Sequence, residues 1–156
     1  MRIYIASSYK NLRLVQLLTS ILTEQGHVVL DWTELAPPIP ATMTAEEAKM
    51  LLDGDERGTI FEFCSSACTS VDLLIYLGPA GQDAACEVAL AAADGILIFG
   101  LAGPLEKPGL ILSRLVDFWF SSTAELLQAV NLTNADKLGI SAEKLAEIRA
   151  SKGGWQ

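Results

Sequence analysis

The chain has one histidine, three cysteines and little positive charge, and each shortage removes a class of function. With His27 alone and no Cys-x-x-Cys pair, a tetrahedral zinc set has too few ligands to draw on, and no metal is expected. Cys64 and Cys68 stand four apart, one face of a helix, so packing in the core is their expected use. Eleven Lys and Arg against nineteen Asp and Glu give a formal charge of −8. No basic cluster of the kind that neutralises phosphates occurs, so nucleic acid and anionic membrane surfaces are not expected partners. The longest apolar runs, such as Gly95–Ala102, fall far short of the ~20 residues that span a bilayer. Met1–Ile5 looks like a strand with no small-residue cleavage site after it, so no secretory leader is expected and a cytoplasmic location is. Low-complexity segments and internal repeats are missing too.

What the chain does have is apolar material: 51% of its 156 residues are hydrophobic. A chain of this length buries roughly two thirds of the surface that it exposes unfolded, which suits one domain. Residues 1–150 are expected to form it, with 151–156 a loose tail.

Strands and helices alternate along it. Arg2–Ala6 is a short apolar run, followed by polar Ser7–Asn11 and by a helical pattern in Leu14, Leu17, Leu18, Ile21 and Leu22 that Gly26 ends. His27–Trp32 is a second strand. Leu35–Ala41, with three prolines, is a loop, and Thr44–Glu47 is a capping box that opens a helix to about Leu52. Asp53–Gly58 breaks the pattern and Thr59–Thr69 resumes it, so the insertion between strands two and three is placed to act as a lid. Val71–Leu77 is strand three, Asp83–Ala93 a helix, Gly95–Gly100 strand four and Ala102–Pro108 a loop. Gly109–Phe120 reads as a helix with Leu112, Leu115, Val116 and Trp119 inward. Ser122–Glu125 caps another helix to about Val130, and Ser141–Ala150 is the last. Such alternation predicts an α/β three-layer sandwich on a parallel sheet of order 2-1-3-4, possibly extended by a fifth strand.

Chemistry concentrates after strand three, where Gly78–Gly81 leads into a helix bearing Asp83 and Glu87. In an open α/β sheet, ligands bind where strands end and helix N-termini begin. With Asp83 as N-cap, Glu87 falls near the fourth helical position, one turn on and on the same face. An ionised glutamate there can attack a sugar C1 or stabilise an oxocarbenium ion; it can equally be a solvated acid that satisfies the helix dipole. Tyr9, just past strand one, either hydrogen-bonds a carboxylate or sugar hydroxyl or packs its ring on the sheet edge. Trp32 either stacks on a base or is a core indole. Asp72 is a turn residue by its position. Lys10, Arg13 and Arg57 are the only cations near the loop, which favours nucleosides over nucleotides.

The runs Ile3–Tyr9, Asp72–Leu77, Gly81–Ala91 and Gly95–Leu101 together resemble the nucleoside 2-deoxyribosyltransferase family, over roughly residues 2–130. The resemblance implies a flavodoxin-like Rossmannoid fold, no cofactor, a homo-oligomer, a nucleoside or nucleotide as small-molecule partner, and Glu87 as nucleophile with Tyr9 orienting it. Ser7, Trp32, Gly81 and Asp83 are the matching candidates for substrate contact. Where that family carries two further acids, this chain has Cys64 and Gly81. The Ala6-Ser7-Ser8 start, Trp32 and helical Glu87 also resemble TIR-type domains, which cleave the nicotinamide N-glycosidic bond of NAD. A Rossmannoid that binds a nucleotide or a partner protein without turnover is the third reading. The apolar content of Leu110–Val130, including Leu112, Phe118, Trp119, Phe120 and Leu126, also points to an oligomer.

Overall fold

The computed structural model describes residues 1–35, 44, 46–47 and 55–135. Residues 36–43, 45 and 48–54 of the expected lid, the helix at Ser141–Ala150 and the tail lie outside these residues.

Five strands form one parallel sheet, β1 (Arg2–Ala6), β2 (Val28–Leu30), β3 (Leu73–Leu77), β4 (Leu97–Leu101) and β5 (Phe118–Phe120), in the order β2-β1-β3-β4-β5. All five residues of β3 are buried, as a central parallel strand covered on both faces requires. Register pairs Tyr4 with Leu74 and Leu74 with Ile98, and Ala6 with Tyr76 and Tyr76 with Gly100. These side chains share one face of the sheet, while Ile3, Ile5, Leu73, Ile75 and Phe99 share the other.

The helices are α1 (Leu12–Glu24), α2 (Asp55–Thr69), α3 (Gln82–Ala93), α4 (Leu110–Leu115) and α5 (Thr123–Ala135). The crossover through α1 runs from β1 to β2 at one edge and that through α3 from β3 to β4 in the opposite direction. With both right-handed, α1 and α3 cover opposite faces, and the switch point falls between β1 and β3. Helix α2 packs on α3 and β1, and α5 on β4 and β5. Gly26 and Gly95, at φ of +83° and +77°, end α1 and α3 in the left-handed conformation that a side chain resists.

Several boundaries differ from the sequence reading. Strand two is shorter than His27–Trp32, and Trp32 begins a 3-10 turn capped by the Asp31 carboxylate, which accepts from the Thr33 N–H. The helix before β3 starts at Asp55, not after Gly58. The expected helix Gly109–Phe120 is two elements: α4 stops at Leu115, Val116 is extended, and Phe118–Phe120 becomes β5. Helical spacing of Leu112, Leu115 and Trp119 obscured the β preference of three consecutive aromatics. The turn is anchored by buried Asp117, whose backbone N–H donates to the Ile98 carbonyl while its carboxylate accepts from the Ile98 N–H, both at 2.9 Å. Phe99 then packs edge-on to Phe118 and Phe120.

The first capping box closes in both directions and the second in one. Glu47 N–H donates to Thr44 Oγ1, and the Thr44 N–H returns a bond to the Glu47 carboxylate at 2.8 Å. In the second, Glu125 N–H donates to Ser122 Oγ, but the Glu125 carboxylate reaches back to Ser121. Within Leu110–Val130, Leu126 is fully buried and Leu112, Phe118, Trp119 and Phe120 are half-buried. The large apolar residues exposed in that region are Leu110 and Ile111. Among the described residues no helix is long and apolar enough to cross a membrane.

Because a Cβ at Gly26 would meet no atom, substitution there isolates the backbone term. Gly26→Ala should lower the free energy of unfolding by about 1 kcal/mol in urea titration, with an unchanged m value.

Candidate active site

Tyr4 lies in the middle of β1, fully buried, on the face that α2 and α3 cover. A phenol there needs a partner for its hydroxyl, since an unpaired buried O–H costs free energy. It finds one in Glu87, which comes down from the second turn of α3: Tyr4 Oη donates to Glu87 Oε1 at 2.8 Å. The Cys64 thiol of α2 stands close enough to influence the ionisation of both. Burial, then the charge of Glu87, push the Tyr4 phenol far above its ordinary range, so it remains a donor at every working pH.

Glu87 is pushed up to about 7. Burial is the largest cause; the Tyr4 hydrogen bond pulls the other way, Asp83 raises it further and the Cys64 thiol lowers it. Burial and then the Glu87 charge hold the Cys64 thiol up and protonated, apart from a counteracting bond from Tyr4. The cluster is thus one phenol that donates and one neutral thiol nearby, around a carboxyl that is half ionised near neutrality.

Sequence reasoning placed Glu87 in the first turn, behind an Asp83 cap. The cap is instead Gly81, in an extended conformation, and Asp83 lies in the first turn with its side chain exposed. Glu87 is therefore two positions further into the helix than expected, in its second turn. The dipole, which acts within the first turn, has less hold on it, and desolvation dominates.

The hydroxyl on Glu87 belongs to Tyr4, where Tyr9 was expected. Tyr9 packs edge-on to Trp32, with ring centroids 5.0 Å apart, which is its alternative use as a packed loop aromatic. Trp32 is likewise a core indole: only 6% exposed, it donates its Nε1–H to the Ile5 carbonyl at 2.8 Å. Ser7 Oγ donates to the Leu77 carbonyl at 2.8 Å, and Asn11 Nδ2 donates to Ser7 Oγ and to the Leu77 and Pro79 carbonyls. These bonds fasten the end of β1 to the loop after β3 across the switch point. Asp72 accepts from the Arg2 N–H at 2.7 Å, the turn role expected of it.

Sequence reasoning missed Tyr4, folding it into an apolar run. The available signal was its place inside a buried strand, where the only satisfactory partner for its O–H is a polar group on a covering helix. Cys64, expected in the core, is half-buried beside the carboxyl, while Cys68 is buried outright. Among the described residues no three His, Cys, Asp or Glu side chains gather as a metal site. An open groove along β2, bordered by Thr19, Thr23, Asp31, Glu34 and Phe63, includes none of the residues that meet Glu87.

The sign of the Glu87 shift fixes its effect on stability. Because the folded value lies above the unfolded one, the folded state binds more protons between about pH 4.5 and 7, and stability falls as pH rises through that window. Glu87→Gln, which keeps an acceptor for Tyr4, should raise Tm above pH 7 and leave it nearly unchanged at pH 4. Thermal melts at the two pH values check this. Trp32→Phe leaves the Ile5 carbonyl unpaired and should cost about 1–3 kcal/mol in denaturant titration.

No family model and no curated protein matches the sequence. Solved structures do resemble the fold. A 2-deoxyribosyltransferase from Bacillus psychrosaccharolyticus aligns over 81% of this chain and 90% of its own with a TM-score of 0.62 at 18% identity. A conserved protein from Enterococcus faecalis V583 aligns over 85% and 98%, TM-score 0.59, identity 19%. The CMP N-glycosidase of Clostridium botulinum aligns over 84% and 99%, TM-score 0.54, identity 17%. The chain thus has an α/β Rossmann-like fold that is shared over most of its length with a 2-deoxyribosyltransferase and an N-glycosidase.

Proposed function

We propose that this protein cleaves or transfers the N-glycosidic bond of a nucleoside or nucleotide, with Glu87 as nucleophile and Tyr4 as the residue that orients it. The observation that carries the reading is the Tyr4–Glu87 hydrogen bond, at 2.8 Å, in a setting that keeps the carboxyl near a value of 7. The fold shared with a 2-deoxyribosyltransferase and a CMP N-glycosidase supports the same chemistry.

In the first step a Glu87 oxygen bonds to C1′ of the sugar and the C1′–N bond breaks, its electron pair leaving with the base. In the second, water or another base attacks C1′, its proton going to the base released in the first step, and the ester bond breaks, returning the carboxylate. Tyr4 holds one oxygen of Glu87, which limits the rotation of the carboxylate and turns the other oxygen outward. Desolvation keeps the anion reactive, because a hydrated carboxylate would first have to shed its water.

Base release measured across deoxynucleosides, ribonucleoside monophosphates and NAD tests the reaction and finds the substrate class. Turnover of NAD alone would move the assignment to the TIR-like reading, and no release from any of them would leave a binding protein. Glu87→Ala should remove release by at least about a thousandfold. Tyr4→Phe deletes a hydrogen bond to a charged group, worth about 1.5–3 kcal/mol, and should slow release about tenfold to a hundredfold. Since only the ionised carboxylate attacks, kcat/KM should rise with pH through about 7 and plateau above it. In Tyr4→Phe that limb should move to higher pH, because the lost bond was holding the value down. An acid limb near pH 4.5 in the wild-type protein would contradict the assignment.

A further inference from the structure

A second tyrosine–glutamate pair lies on the same face of the sheet. Tyr76, two residues further along β3 than the partner of Tyr4, donates its hydroxyl to Glu106 Oε1 at 2.5 Å. Strand spacing and rise place Tyr4 and Tyr76 about 8 Å apart along the diagonal. Glu106 comes from the loop between β4 and α4, and its other oxygen accepts from the Gly103 N–H at 3.0 Å. The Glu106 N–H donates to the Gly103 carbonyl, which closes that loop on itself.

The carboxylate lies directly on Gly78, the first residue after β3: a Cβ built there would fall 1.6 Å from Glu106 Oε2. In turn a Cβ at Gly103 would fall 2.3 Å from Pro79 Cδ. The two loops therefore touch backbone to backbone at the only residue type that permits it. The Gly78 N–H also donates to the Leu101 carbonyl at 2.9 Å. From the other side, Ser7 and Asn11 hold the Leu77 and Pro79 carbonyls. Three residues later, Gly81 caps the helix that carries Glu87.

We propose that Glu106 is a positioning residue for the reaction at Glu87: clamped by Tyr76 and the Gly103 N–H, its carboxylate pins Gly78 and so fixes the loop from which α3 starts. The inference rests on the reaction proposed for Glu87. Glu106 touches no reacting atom; it sets the loop after β3 and the start of the helix. A nucleophile that meets a carbon over a fraction of an ångström is sensitive to such a support, since a 1 Å misplacement from a distant change can cost about a hundredfold.

The test compares Glu106→Ala, Glu106→Gln, Gly78→Ala and the double variant Gly78→Ala/Glu106→Ala, each confirmed folded by circular dichroism. Glu106→Ala should lower kcat for base release at least about tenfold with KM changed less than about threefold. It should also speed amide hydrogen exchange at residues 78–82. Glu106→Gln retains a carbonyl oxygen for one donor and should recover part of kcat. Gly78→Ala, by displacing the carboxylate, should reproduce the loss, and the double variant should lose no more than the larger single one. Wild-type kcat in Glu106→Ala, or losses that multiply in the double variant, would overturn the inference while Glu87→Ala still marks the nucleophile. A wild-type protein inert toward every substrate would overturn the proposed reaction and this inference with it.

Discussion

The structure depends on a largely buried carboxyl group on a helix and the phenol from the sheet that bonds it. Glu87 costs the fold stability whenever it is ionised, as its value of about 7 records. Tyr4 has the complementary difficulty, since a hydroxyl in the interior of a buried parallel strand has no backbone group left to pair with. The bond between them resolves both, and it joins β1 to α3 across the point where the sheet order reverses. Moving either residue by one position would turn its side chain to another face and leave two unpaired polar groups.

Around this pair the loops are tied rather than packed. The end of β1 fastens to the loop after β3 through Ser7 and Asn11, and the loop after β4 fastens to it through Glu106. Side-chain amides, hydroxyls and carboxylates bonded to backbone carbonyls and N–H groups hold segments that have little apolar surface to bury. The loops at the switch point are in this way held by directional bonds on both sides. That is the arrangement expected where geometry must be kept without filling the space with side chains.

Much of the fold was legible in the residues. The apolar runs of β1, β3 and β4, the Gly26 stop and the alternation with helices lead to the parallel order 2-1-3-4 without any coordinates, and the fifth strand follows on the same edge. What failed was local. Phe118–Phe120 looked like the end of a helix because apolar spacing in a short window satisfies both periods, and only the Asp117 anchor to Ile98 decides between them. At the site, the position of Glu87 on the helix after β3 was readable from the glycine loop and the acid beyond it. Its partner was not: Tyr9 follows strand one in a polar setting and attracts attention, whereas Tyr4 sits within an apolar run and shows its role only once burial and register are known. Glu106 was invisible for a related reason, because its significance rests on lying against Gly78, 28 positions earlier in the chain.

The most direct measurement of the central claim is mass spectrometry of the protein incubated with a 2-fluoro-2-deoxy nucleoside, whose fluorine slows breakdown of a glycosyl ester. If Glu87 is the nucleophile, a fluorosugar adduct appears on the peptide that contains Glu87, accumulates as pH rises through about 7, and is absent from Glu87→Gln. An adduct on another residue, or base release that persists in Glu87→Gln with no adduct on that peptide, would contradict it.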